Sequence, residues 1–135
     1  MDDEDAGDNA IIAQLMELAM QYSLADAATL KCGPPGNVEW RLVSGSEWEV
    51  VRPLMIDWLD AKVLVIERMI AQRRCADAVG ELCFSPDYGT EAQDRLIEAA
   101  EAEQSRAIRA LYHAKRDERY IIAQQLEALG FNVAN

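Results

Sequence analysis

One histidine, His113, stands in a chain of 135 residues, and that scarcity excludes most nucleophilic catalysis at the outset. A Ser-His-Asp or Cys-His arrangement would have to use it, yet no serine or cysteine lies in a nucleophile motif. Asp117 follows at helical spacing and could share a metal with His113, but no second histidine or Glu-x-x-His pair completes a di-iron set. Cysteine is scarce too. Cys32, Cys75 and Cys83 are odd in number and never form a CxxC, which favours reduced thiols over a disulfide framework or a zinc site.

Long apolar runs are also missing. Val63 to Ile66 is a short run inside a helical pattern, so no membrane partner is expected. The opening residues are acidic and do not read as a signal peptide, which places the expected compartment in the cytoplasm. Gly33-Pro34-Pro35-Gly36 lacks the Gly-Lys-Ser/Thr ending of a phosphate loop and serves as a tight linker. No basic face interleaved with aromatics occurs, which argues against binding nucleic acid directly. No motif calls for a cofactor or a metal, and none is expected.

Proline and glycine are absent from Thr90 to Leu129, and this stretch organises the chain. Thr90 with Gln93 has capping-box spacing, Glu91 and Asp94 place negative charge in the first turn, and Gly130 with Phe131 supplies a stop. Between these signals Ile97, Ala100, Ala107, Ile108, Leu111, Ala114, Ile121, Ile122, Leu126 and Leu129 recur at steps of three and four. The spacing predicts one unbroken α-helix, roughly 60 Å long at 1.5 Å per residue. A rod of that length needs a second long helix, a second subunit, or both.

The second helix is predicted from Pro53 to about Cys83. Its first half carries Leu54, Met55, Ile56, Trp58, Leu59, Val63, Leu64, Val65, Ile66, Met69 and Ile70, apolar on almost every side and therefore in need of cover on every side. Ser85-Pro86-Asp87 breaks the chain between the two rods. Folding back antiparallel about Pro86 brings Arg73 and Arg74 toward Glu98 and Glu101, Glu67 toward Arg106 and Arg109, and Asp57 and Asp60 toward Lys115, Arg116 and Arg119. Opposite signs meet at each level, which favours this register over a single continuous rod.

Upstream, residues 1–8 are read as a disordered acidic tail and residues 9–135 as one helical domain. Asn9 would cap a first helix from Ala10 to about Ser23, extending in a longer version through Leu24 to Leu30. Ile11, Ile12, Leu15, Leu18, Ala19 and Tyr22 give it an apolar face, with Met16 and Met20 alongside. Residues 38–51 admit two readings. Val38, Trp40 and Leu42 alternate with Glu39 and Arg41 as in a short β-ribbon whose second strand passes Trp48 and Val50; alternatively Ser46 and Glu49 form a capping box and a helix starts at Glu47.

The expected fold is therefore mainly α: a long antiparallel hairpin plus an N-terminal helix, with surplus apolar surface hidden in a four-helix-bundle homodimer. The expected function is a non-enzymatic interaction module, an adaptor, inhibitor or assembly factor acting on another protein. Trp40, Trp48, Trp58, Leu59, Met16 and Met20 are its candidate contact residues. Two alternatives stand against it. Asp57 with Asp60 and Glu98 with Glu101 share helix faces, as Mg²⁺-holding pairs do in all-α nucleotide pyrophosphohydrolases, an analogy of fold. The net charge of −11 raises the other, an acidic nucleic-acid mimic, but residues 1–30 hold seven of the acids and no Lys or Arg, so the rods carry little of it.

Overall fold

A computed structural model describes residues 3–133. Helix α1 spans Asp3–Leu24, strands β1 and β2 span Ala27–Cys32 and Glu39–Ser44, and helix α2 runs Gly45–Cys83. Helix α3 covers Glu91–Asp117 and passes without leaving helical geometry through a π-helical segment, Glu118–Ala123, into α4, Gln124–Ala128. The fold is mainly α, a long helical hairpin flanked by an N-terminal helix and a small antiparallel sheet.

The hairpin folds back as its signals direct. Thr90 caps α3, its side-chain oxygen accepting from the Gln93 N–H at 3.2 Å. The Gln93 side chain does not complete a capping box. It crosses the turn and donates to the Leu82 carbonyl at 3.1 Å, tying the end of α2 to the start of α3. At the far end of the hairpin Trp58 reaches Glu118, a pair about equally distant from the turn, so the helices are antiparallel in the expected register. The expected charge partners differ. Arg73 pairs with Asp5 and Asp8, and Arg74 with Asp5, all on α1, while Lys62 meets Glu118.

The long third rod is not uniformly α. Its inward positions Gln93, Ile97, Ala100, Gln104, Ala107, Leu111 and Ala114 step by four and three, an alanine-rich stripe that suits close approach to α2. Beyond Ala114 that period would carry Ala123 and Leu126 off the buried face, and the wider turn at Glu118–Ala123 restores the phase. Gly130, at φ 94°, ends the rod; the Gly130 N–H donates to the Glu127 carbonyl and the Phe131 N–H to the Leu126 carbonyl, at 2.9 and 3.0 Å.

Four expectations upstream of the hairpin need correction. Residues 3–8 of the expected tail are helical, because Asp5 and Asp8 find Arg73; Met1 and Asp2 lie outside the described residues. Asn9 is accordingly inside α1 rather than at its cap. The ribbon pairs β1 with β2, from Ala27↔Ser44 to Cys32↔Glu39, so its strands lie on either side of the Gly-Pro-Pro-Gly linker and Trp48 and Val50 are helical. Helix α2 begins at Gly45 and continues through Pro53. An interior proline costs about 3 kcal/mol. Trp48, Val51 and Met55 straddle it on one buried face, at about 1.5–3 kcal/mol for an aliphatic side chain fully buried, which outweighs the lost hydrogen bond.

The main core lies at this end, where the ribbon, the first turns of α2 and the end of the third rod converge. Leu30, Val43, Trp48, Val51, Met55, Ala123, Leu126, Phe131 and Val133 form it. Trp48 donates from Nε1 to the Ala25 carbonyl at 2.8 Å and meets Tyr22 edge-on, with ring centroids 5.6 Å apart. The same burial raises the Tyr22 phenol above its ordinary pKa.

Candidate interaction surfaces

Helices α1 and α3 both pack on α2 but leave a groove between them. Ile11, Leu15 and Leu18 form the α1 wall; Trp58, Leu59, Val65 and Ile66 form the floor, and the open groove has a volume of about 510 Å³. A wide apolar stripe on α1 gives this geometry. Ile12, Ala19 and Tyr22 are half-buried, whereas Ile11 remains 46% exposed, so the stripe is broader than α2 alone can cover.

One end of the groove is polar. Trp58 Nε1 donates to Glu118 Oε1 at 3.0 Å, Lys62 Nζ approaches the same oxygen at 3.7 Å, and the Lys62 ammonium sits 4.7 Å from the Trp58 ring centroid. Lys115 completes the rim. Glu118 opens the π-helical segment, so the wide turn that realigns Leu126 with the core also sets this carboxylate facing α2. Trp58 is shared with a smaller cavity of about 170 Å³, lined also by Tyr22, Leu30, Trp40, Met55 and Phe131.

The six residues singled out from the sequence separate into different environments. Trp48 and Leu59 are each 1% exposed; Trp48 belongs to the core of its own chain, and Leu59 lies in the groove floor. Trp58 is half-buried in the groove floor. Met16 and Met20 are exposed and, with Leu24 one further turn along, make an outward stripe on α1. Trp40 stands on the outer face of the ribbon, 65% exposed, with the Lys31 ammonium 5.4 Å from its ring centroid. The groove brings together only Trp58 and Leu59 from this set. Leu15, Leu18, Val65, Ile66, Lys62 and Glu118 complete the groove; the apolar face of the first helix and the all-round-apolar start of the second point to the first four, and no sequence signal points to Lys62 or Glu118.

Beneath Trp40, on the opposite face of the ribbon, Arg41 makes a bidentate pair with Glu47 at 2.7 and 2.9 Å and lies over the Phe131 ring. The guanidinium holds the Glu47 carboxyl below its usual range. Asp57, Asp60, Glu98 and Glu101 are exposed, and among the described residues no group of three or more His, Cys, Asp or Glu is placed to hold a metal ion. His113 is exposed beside Tyr112, and all three cysteines are free. Among the described residues, no helix is long and apolar enough to cross a membrane.

The chain matches no protein-family model, no curated protein and no solved structure.

Proposed function

We propose that the protein is a non-enzymatic interaction module, an adaptor, inhibitor or assembly factor, that receives an amphipathic helix of another protein and works as a homodimer. The groove between α1 and α3 carries this reading. Two helices flanking a third leave one corner of a four-helix arrangement empty, and the walls of that corner are apolar. Its floor from Trp58 to Ile66 spans roughly two helical turns. That length suits a partner helix presenting apolar side chains at i, i+3 or i+4, and i+7. Lys62 and Lys115 stand at the Glu118 end, so the partner's stripe carries an acidic side chain there. Self-association is supported by the large apolar side chains left in solvent, among them Leu24, Trp40 and Leu42.

Affinity capture from the native host, comparing the wild-type chain with Leu15→Asp, tests the groove. The expected result is a stoichiometric protein partner retained by the wild type and lost by the variant, with unchanged circular dichroism. Retention of every partner by Leu15→Asp would remove the groove from the reading. Phosphate release from a nucleotide panel with Mg²⁺, abolished by Asp57→Ala, would replace the reading with an enzyme.

A further inference from the structure

The β-ribbon has one edge tied down and one edge open. On β1 the Lys31 carbonyl accepts from the Asn132 N–H at 2.9 Å and the Gly33 N–H donates to the Gly130 carbonyl at 3.0 Å, so both groups point away from β2. Backbone groups alternate in direction along a strand, which turns Cys32 toward β2 and makes Cys32↔Glu39 a hydrogen-bonded pair. Glu39, Arg41 and Val43 therefore bond inward to β1, and the N–H and C=O groups of Trp40 and Leu42 face outward. Among the described residues no backbone hydrogen bond reaches that outer edge. The side chains of Trp40 and Leu42 beside it are 65% and 64% exposed.

We infer that this edge pairs with the same edge of a second copy, forming a four-stranded antiparallel sheet whose two-fold axis passes Trp40. The inference rests on the proposal that the protein works as a homodimer, and it names the surface. Self-complementarity selects the register. With the axis at Trp40, Glu39 lies opposite Arg41 of the other copy, Arg41 opposite Glu39, the two Trp40 side chains are cross-strand neighbours, and Val38 faces Leu42. Moving the axis to Arg41 sets the two guanidinium groups against each other. Placing it at Leu42 leaves Arg41 facing Val43 and Trp40 facing Ser44.

Glu39 has no ion-pair partner among the described residues, and Arg41, already held by Glu47, has donors left for a second carboxylate. No proline or lysine lies within Glu39–Ser44, and the charges the edge does carry, Glu39 and Arg41, complement each other across the two-fold axis rather than repel. A ribbon of two strands is marginal alone, and doubling it gives the open backbone groups partners.

Sedimentation equilibrium over a wide concentration range tests the pairing. The wild type is expected to show a monomer–dimer equilibrium, and Glu39→Arg to weaken it by on the order of tenfold, since it places like charges opposite each other twice. Arg41→Glu alone is expected to weaken it similarly. A mixture of the two variants should associate again, because each supplies the charge that the other lacks. With the native cysteines replaced by serine, Trp40→Cys should cross-link the dimer under mild oxidation, because directly opposed hydrogen-bonded positions lie at about 5.5 Å, within disulfide reach. Circular dichroism checks that each variant folds. Leu15→Asp, in the helical groove, should leave the dimer intact.

A monomer at every concentration overturns the inference while leaving the groove reading standing. A dimer indifferent to Glu39→Arg, or one broken by Leu15→Asp instead, also overturns it and places self-association elsewhere.

Discussion

The two ends of α2 are built to different standards. At the ribbon end, four segments distant in sequence meet and enclose Val43, Trp48, Val51 and Leu126 to 2% exposure or less. At the hairpin tip, α2 and α3 have only each other and the short turn between them, and Phe84 and Tyr88 stand 91% and 62% exposed. The tip is held by capping and by polar bridges such as Gln93 to the Leu82 carbonyl, the ribbon end by buried area. Apolar burial grows with the number of surfaces that converge, and a hairpin turn converges only two. The better-packed end also carries the open strand and adjoins the groove, so both proposed surfaces rest on the half of the molecule with more buried area.

The sharpest way to break this contrast is to weaken the ribbon end first and the tip last. Leu126→Ala should lower unfolding stability by about 2–5 kcal/mol in denaturant titration, the cost of a cavity that a packed core cannot close. Trp58→Phe comes next, at about 1.5 kcal/mol, because it removes an N–H donated to the Glu118 carboxylate at the groove end. If the melting temperature of Trp58→Phe equals that of the wild type, the Trp58–Glu118 bond contributes nothing to holding α3 against α2.

A pH scan probes the link between α1 and the middle of α2. The Asp5 carboxyl is held below its ordinary value first by the hydrogen bond from Arg73 and then by the nearby Arg73 and Arg74 charges, against the opposing effect of burial. A depressed folded-state pKa stabilises the fold above the unfolded carboxylate value of about 3.9, and that contribution fades as the pH falls through the lower folded value. Wild type should therefore exceed Asp5→Asn in stability at neutral pH, with the difference closing in the acid range. The smallest effect belongs to the tip: Phe84→Ser should stay within about 0.5 kcal/mol. A large loss there would show that the tip is buried by something beyond this chain.

Much of the hairpin was legible in the sequence because its signals are local. The Thr90 cap, the Gly130 stop and the Ser85-Pro86-Asp87 break each act within a few residues, and the structure uses all three. The π turn at Glu118–Ala123 was not visible, since it answers to where Ala123 and Leu126 must point. The longer version of the first helix, through Leu30, is wrong: the helix ends at Leu24 and Ala27–Cys32 is a strand, which has little strand character of its own and gains it from pairing with Glu39–Ser44. Of the candidate contact residues, Trp48 and Leu59 are buried within their own chain, which the sequence did not foretell. Apolar character says that a side chain needs cover, and only the arrangement of other segments says whether its own chain provides it.

By itself the sequence determined that the chain is mainly helical, where the hairpin turns, and in which direction the two rods lie, because helix period, capping and turn chemistry are settled between near neighbours. Tertiary structure alone decided that α2 runs through Pro53, that residues 3–8 join a helix, that Trp48 is interior while Trp40 is not, and that one strand edge and one helical corner stay open. Those outcomes balance buried area and ion pairs between segments far apart in the chain, a balance that no local window contains.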